Sequence, residues 1–141
     1  MMKITLIGVI ILLVWFRIML PFIRERMLDK KELRDKPLNE KFSKTLYELD
    51  RIVFNGESTL TVYDENPEYL YMEGENNMNV SYCFMYSTGN LSVQNIFRVN
   101  GEQKIIDRQY NQLRQVDDDV QARLAKMILN DTKSAFAELM P

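Results

Sequence analysis

The sequence predicts an α+β protein: an N-terminal transmembrane helix, then a helix, a four- to five-stranded antiparallel meander and one or two C-terminal helices packed on one sheet face. Three observations support this class. A stretch of 20 mostly apolar residues opens the chain at 4–23. From 58 onwards, apolar and polar residues alternate in segments about ten residues apart, separated by turn-forming residues. The C-terminal residues return to apolar spacings of three and four, which are typical of a helix.

These patterns divide the chain into three parts. Residues 1–23 are a transmembrane signal anchor, residues 24–37 a charged juxtamembrane helix or linker, and residues 38–141 a small α+β domain. The last part is long enough to bury a modest core of its own.

The anchor is predicted from length and composition. At about 1.5 Å per residue, a helix over Ile4 to Ile23 spans about 30 Å, the thickness of a bilayer's hydrocarbon core. No small-residue cleavage site follows the apolar core, which favours an uncleaved anchor over two alternatives, a signal peptide and a buried helix of a soluble protein. The residues expected to contact lipid are Ile4, Leu6, Ile7, Val9, Ile10, Ile11, Leu12, Leu13, Val14, Trp15 and Phe16.

The charges around this segment predict its orientation. Arg17 lies near the end of the apolar run, so it can reach the headgroups; the alternative is a carboxylate partner within the membrane. Six Lys/Arg follow in residues 24–36, whereas only Lys3 precedes the run. The positive-inside rule therefore predicts a single-pass protein with a cytoplasmic C-terminal domain. A periplasmic or other extracytoplasmic domain is the alternative.

Beyond Pro37 the elements are predicted from periodicity. A helix begins at Leu38 and ends at Asn55-Gly56, with one apolar face formed by Phe42, Leu46, Leu49, Ile52 and Val53. Strands follow at Ser58–Tyr63 and Tyr69–Glu73, with a turn at 74–77. A longer strand places Met78, Val80, Tyr82, Phe84 and Tyr86 on one face, and the next runs from Leu91 to Val99.

The end of the sheet has two interpretations. Asn100-Gly101 is either a type I′ turn into a fifth strand near Gln103–Ile106 or the point where the sheet ends before a helix. Helical spacing then begins at Ile106 and Tyr110 and continues to Leu139. Within it, Asp117 to Asp119 are expected to cap the start of a second helix and complement its dipole.

Several classes of function are disfavoured by composition. Residues 37–141 carry 10 Lys/Arg and 16 Asp/Glu, so the clustered cations that nucleic acids require are missing. One cysteine, Cys83, and no histidine leave neither a nucleophile–base pair nor a thiolate metal site. We therefore expect no enzyme, no cofactor and no metal. The Asp117–Asp119 run and the Glu73/Glu75 pair are expected to be a helix cap and turn residues.

Aromatic residues are the most informative set in the predicted sheet. They are expected either to form the core or to form a tyrosine-rich docking surface, and a third interpretation is a ligand pocket between the sheet and the C-terminal helix. The candidate partner-binding residues are Tyr69, Tyr71, Tyr82, Phe84 and Tyr86.

No motif is specific enough to name a family. The function expected from these features is that of a membrane-anchored accessory or assembly subunit, whose partners are the lipid bilayer and other proteins of a larger membrane complex. The alternative is a small-ligand or lipid-binding module held at the membrane surface.

Overall fold

The computed structural model describes residues 2–75 and 79–139. The predicted positions of Asn76 and Asn77 in a turn and of Met78 in a strand lie outside the described residues. The same is true of the Ile4 side chain that was assigned to the anchor.

Helix α1 runs from Met2 to Asp35 and is long and apolar enough to span a membrane. It passes through Pro21 without ending and stops before Lys36-Pro37, because the ring of Pro37 disfavours helical backbone at Lys36. Its side chains from Leu6 to Phe16 are exposed. The predicted anchor and the charged segment after it are therefore one continuous helix, whose apolar part is not covered by the domain.

The predicted second helix is divided in two. Helix α2 covers Leu38–Lys41 and helix α3 covers Ser43–Val53, with Phe42 between them. Phe42, Leu46 and Leu49 are buried as expected. Ile52 is 44% exposed, although the spacing of the apolar residues placed it on the same face.

A five-stranded antiparallel meander follows, in the order β1-β2-β3-β4-β5. Two of its turns contain two residues with positive φ, Thr88-Gly89 and Asn100-Gly101, as type I′ hairpins require. The second turn leads into a fifth strand, which resolves the alternatives left open by the sequence. The strands are β1 Ser58–Val62, β2 Tyr69–Gly74, β3 Val80–Ser87, β4 Asn90–Val99 and β5 Glu102–Tyr110.

The prediction of helix from Ile106 was wrong. Ile106 and Tyr110 lie in β5, opposite Asn95 and Leu91 of β4. A spacing of four fits a strand as well as a helix, and pairing along the whole of β4 favours the strand. Helix α4 begins at Asp118 and extends to Leu139. Its cap was predicted correctly, since Asp117 Oδ1 accepts the Val120 N–H at 2.8 Å.

The helices α2, α3 and α4 cover one face of the sheet. That face contributes Leu70, Met72, Tyr82, Phe84, Tyr86, Leu91 and Val93 to the core, against Leu38, Phe42, Leu46, Leu49, Leu124 and Ile128 of the helices. The other face is left open, so the α+β class and the one-sided packing predicted from the alternating strands are confirmed.

Candidate functional site

The part of α1 that follows the apolar run is attached to the domain by charged side chains. Glu25, Asp29 and Glu32 are spaced by four and three residues, so they lie on one side of the helix. That side faces Arg114, which lies in the connection between β5 and α4. We call Glu25, Asp29, Glu32, Lys41 and Arg114 the ionic cluster.

Arg114 is the centre of the ionic cluster. Its Nη1 donates to Asp29 Oδ1 at 2.6 Å and to Glu32 Oε2 at 3.1 Å, and its Nη2 donates to the Glu25 carboxylate. Burial opposes the charged form, but the three carboxylates outweigh it and raise the pKa of the Arg114 guanidinium above its ordinary value. A planar guanidinium suits this role because its donors reach several carboxylates at once.

Lys41 supplies the second cation. Its ammonium group binds the Glu32 carboxylate and donates to the Arg114 carbonyl oxygen at 2.7 Å. The side chain is 5% exposed and lies over the rings of Phe42 and Tyr86, where the charge is stabilised further.

Two groups of the sheet complete the attachment. The Tyr86 hydroxyl donates to Glu32 Oε2 at 2.8 Å, and the Thr88 N–H of the β3–β4 turn donates to Asp29 Oδ2 at 2.7 Å. Burial and the neighbouring Glu32 carboxylate raise the pKa of Tyr86, so the hydroxyl stays a donor. Helix α1 is thus fixed to the domain through α2, β3 and the β5–α4 connection rather than joined by a flexible linker.

The attachment separates the charges of residues 24–36. Glu25, Asp29 and Glu32 of the ionic cluster lie on the side of α1 that faces the domain. The cations of the same segment are all exposed, and Asp35 is the one acid outside the cluster, although the Glu25 side chain within it is 44% exposed. The exposed surface of this segment is therefore strongly basic, although its sequence is only weakly so. The cations are Arg24, Arg26, Lys30, Lys31, Arg34 and Lys36.

The open face of the sheet carries the second feature. A groove of about 470 Å³ runs across strands β2 to β5. One side of its lining is apolar and includes Tyr69, Cys83 and Met85, whereas Ser92, Gln94, Asp107, Arg108 and Gln109 make the other side polar. We call this surface the open face.

The five candidate partner-binding residues do not share one surface. Tyr69 is 38% exposed and Tyr71 is half-buried on the open face, where the Tyr71 hydroxyl donates to Ser81 Oγ at 3.3 Å. Tyr82, Phe84 and Tyr86 are buried beneath the helices. The expected grouping is therefore corrected: the β3 aromatics alternate onto the covered face, and Tyr69 and Tyr71 onto the open one.

Glu75 follows the end of β2 as a turn residue should, whereas Glu73, also expected to be a turn residue, lies within β2 opposite Thr59. Asp117 caps α4, and Cys83 is half-buried on the open face, where burial raises the pKa of its thiol. Within residues 2–75 and 79–139, no three His, Cys, Asp or Glu side chains come together as a metal site would require.

Sequence reasoning missed the ionic cluster. The three carboxylates at helical spacing were a signal that this side of α1 has a basic partner. Nothing marked Arg114, more than 80 residues further along the chain, as that partner.

Comparison of the chain with family models, with curated proteins and with solved structures finds no match. The site must therefore be interpreted from its own geometry.

Proposed function

We propose that this chain is a single-pass, membrane-anchored accessory subunit that binds other proteins of a larger membrane complex. The observation that carries the proposal is the ionic cluster. A tether that only concentrated the domain at a surface would need no such attachment, whereas a subunit that meets its partner in a defined geometry gains from a fixed orientation.

The basic surface of residues 24–36 supports a cytoplasmic domain. Its exposed cations follow the apolar run directly, and the first of them, Arg24 and Arg26, lie within about 5 Å of its end along the helix axis. At that distance they reach anionic headgroups of the cytoplasmic leaflet without being screened.

The open face supports protein binding. Tyrosine and methionine are enriched at protein interfaces, and Tyr69, Tyr71 and Met85 lie together on it beside polar residues that can satisfy hydrogen bonds. Because α1 fixes the domain, this face has a fixed direction relative to the bilayer.

Photo-cross-linking in native membranes tests the proposal. A benzophenone amino acid at Gln94, an exposed position of the open face, should give a larger product that contains a second protein. The matched control is the same group at Lys126, an exposed position on α4. Replacing Tyr71 with Ala should lower the yield from position 94. The proposal fails if position 94 gives no larger product and the full chain, extracted in mild detergent from its own cells, runs as a monomer without a co-purifying partner.

A small-ligand module is the second candidate, and the groove on the open face favours it. Its volume of about 470 Å³ lies within the range of ligand pockets. Beneath α2 and α3, by contrast, a space of about 10 Å³ lined by Leu38, Phe42 and Phe84 is too small for a ligand. Mass spectrometry of small molecules extracted from the purified full-length chain tests this candidate, since an empty protein would count against it.

A further inference from the structure

The two edges of the sheet differ in how they are protected. Strand β5 carries Glu102, Lys104, Asp107 and Arg108, and charges of this kind discourage the addition of another strand. Strand β1, Ser58–Val62, has no charged residue and is exposed along most of its length. The β1 edge is therefore the one that can accept a strand.

The register identifies the groups that β1 offers. The Glu75 N–H donates to the Glu57 carbonyl oxygen at 2.9 Å, so these two residues form a hydrogen-bonded pair. Such pairs alternate in an antiparallel ladder, which turns the N–H and C=O groups of Ser58, Leu60 and Val62 away from β2. Ser58 confirms this direction, because its N–H donates to Asp50 Oδ1 at 3.0 Å. Leu60 and Val62 are left facing outwards.

The side chains of Leu60 and Val62 form a partly exposed apolar surface along β1. Leu60 is 40% exposed and Val62 is 38% exposed, opposite Met72 and Leu70 of β2. They lie on the helix-covered side of the sheet, at its outermost strand. An added strand with apolar residues at alternate positions would cover them.

Charge indicates what kind of strand would be added. Residues 57–75 contain six acids and no Lys or Arg. Asp64, Glu65 and Glu75 are exposed beside the ends of β1. A second copy of this chain would bring the same acids against them, whereas a segment with Lys or Arg would complement them.

We propose that the β1 edge binds an extended, basic segment of another protein, which adds to the sheet as a sixth strand. The inference rests on the proposed function and names the chemistry of the partner. Apolar residues of the segment cover Leu60 and Val62, its backbone bonds their outward N–H and C=O groups, and its cations lie beside the acids.

The test uses the full chain in nanodiscs of zwitterionic lipid and a fluorescent, capped peptide of alternating Lys and Val, seven residues long. Fluorescence anisotropy should show saturable binding that is about tenfold weaker for the same peptide with Glu in place of Lys. N-methylation of every peptide residue should abolish binding, because it removes the N–H donors of both peptide edges.

A matched pair of variants tests the edge itself. Val62→Pro removes the outward N–H without removing a hydrogen bond to β2, and should weaken binding by about tenfold or more. Val62→Thr keeps the N–H and should stay within about twofold of the original chain. If Val62→Pro destabilises the chain, the N-methylated peptide still tests whether binding needs backbone hydrogen bonds at the β1 edge, because it is used with the original chain.

Three results would overturn the inference: equal binding of the Lys and Glu peptides, unchanged binding of the N-methylated peptide, or occupation of the edge by a second copy. Disulfide-linked dimers of a Thr61→Cys, Cys83→Ser chain would reveal the last. Cross-linking from Gln94 is independent of this test, so a Gln94 product without peptide binding removes the edge assignment and leaves the proposed function standing.

Discussion

Replacing Arg114 with Gln should release α1 from the domain. The variant removes the guanidinium that binds three carboxylates of α1 and leaves Asp29, whose side chain is 9% exposed, with the Thr88 N–H as its hydrogen-bond donor. Loss of one partner from a buried ion pair costs about 3–5 kcal/mol, and loss of an exposed pair about 0–1 kcal/mol. The Arg114 side chain is 30% exposed and lies between these limits, so we expect about 2–3 kcal/mol.

The Thr88 amide reports this release directly. Its N–H donates to Asp29 Oδ2 across the contact between α1 and the β3–β4 turn. A free-energy change of about 1.4 kcal/mol corresponds to a factor of ten in the exchange rate. The loss of about 2–3 kcal/mol in Arg114→Gln therefore predicts amide hydrogen exchange at Thr88 that is about 30- to 150-fold faster. Amides at the centre of β4 should change much less, because their ladder does not depend on α1.

Arg123→Gln is the matched control, since it removes an exposed arginine of α4. It should leave Thr88 protected. The double variant Arg114→Gln, Asp29→Asn should lose less stability than the sum of the losses of the two single variants, because both substitutions act on one contact. Unchanged protection of Thr88 in Arg114→Gln would refute the account of the ionic cluster.

Three further variants test other parts of the fold. Gly89→Ala and Gly101→Ala both place a side chain at positive φ, at a cost of about 1–2 kcal/mol each, but only at Gly89 would the new Cβ lie 2.9 Å from Arg114 Cγ. Chemical denaturation should therefore show the larger loss for Gly89→Ala, and equal losses would contradict the contact. Asp117→Ala should lower stability by about 1 kcal/mol through loss of the α4 cap, and more than Asp119→Ala does. Burial raises the pKa of Tyr82 from 10.0 to about 12. The neutral hydroxyl therefore contributes stability that is full below pH 10 and is lost as pH rises towards 12, by about 1.4 kcal/mol at pH 11. Burial raises the pKa of Tyr86 and Tyr110 as well, so both the original chain and Tyr82→Phe should lose stability between pH 8 and 11. Melting should show a loss that is larger by about 1.4 kcal/mol in the original chain than in Tyr82→Phe, and identical pH dependence would count against it.

The elements could be predicted where one period dominates. The β3 residues Tyr82, Phe84 and Tyr86 alternate with Ser81, Cys83 and Met85, so their common face followed from the sequence. The prediction from sequence did not separate the aromatic residues that the helices cover from those that they leave on the open face. Tyr69 and Tyr71 alternate with Leu70 and Met72, and that alternation was the signal that separates them from the β3 aromatics.

The full length of β5 could not be predicted for a different reason. Ile106 and Tyr110 satisfy both periods, and only pairing with β4 decides between them. The ionic cluster is harder still, because its two halves are distant in sequence and Arg114 lies in irregular structure. Contacts of this kind depend on the tertiary fold rather than on any local pattern.

A spin-label scan of α1 in a bilayer tests the central claim most directly, with single cysteines from Leu6 to Arg34 in a Cys83→Ser chain. We predict access to oxygen but not to a water-soluble relaxant from Leu6 to about Leu20. Beyond Ile23, labels at Arg24, Lys30 and Lys31 should be in water, and a label at Leu33, which is buried and outside the ionic cluster, should be protected by the domain. Water access along the apolar run would contradict the anchor, and equal water access at Leu33 and Lys30 would contradict the fixed attachment of the domain.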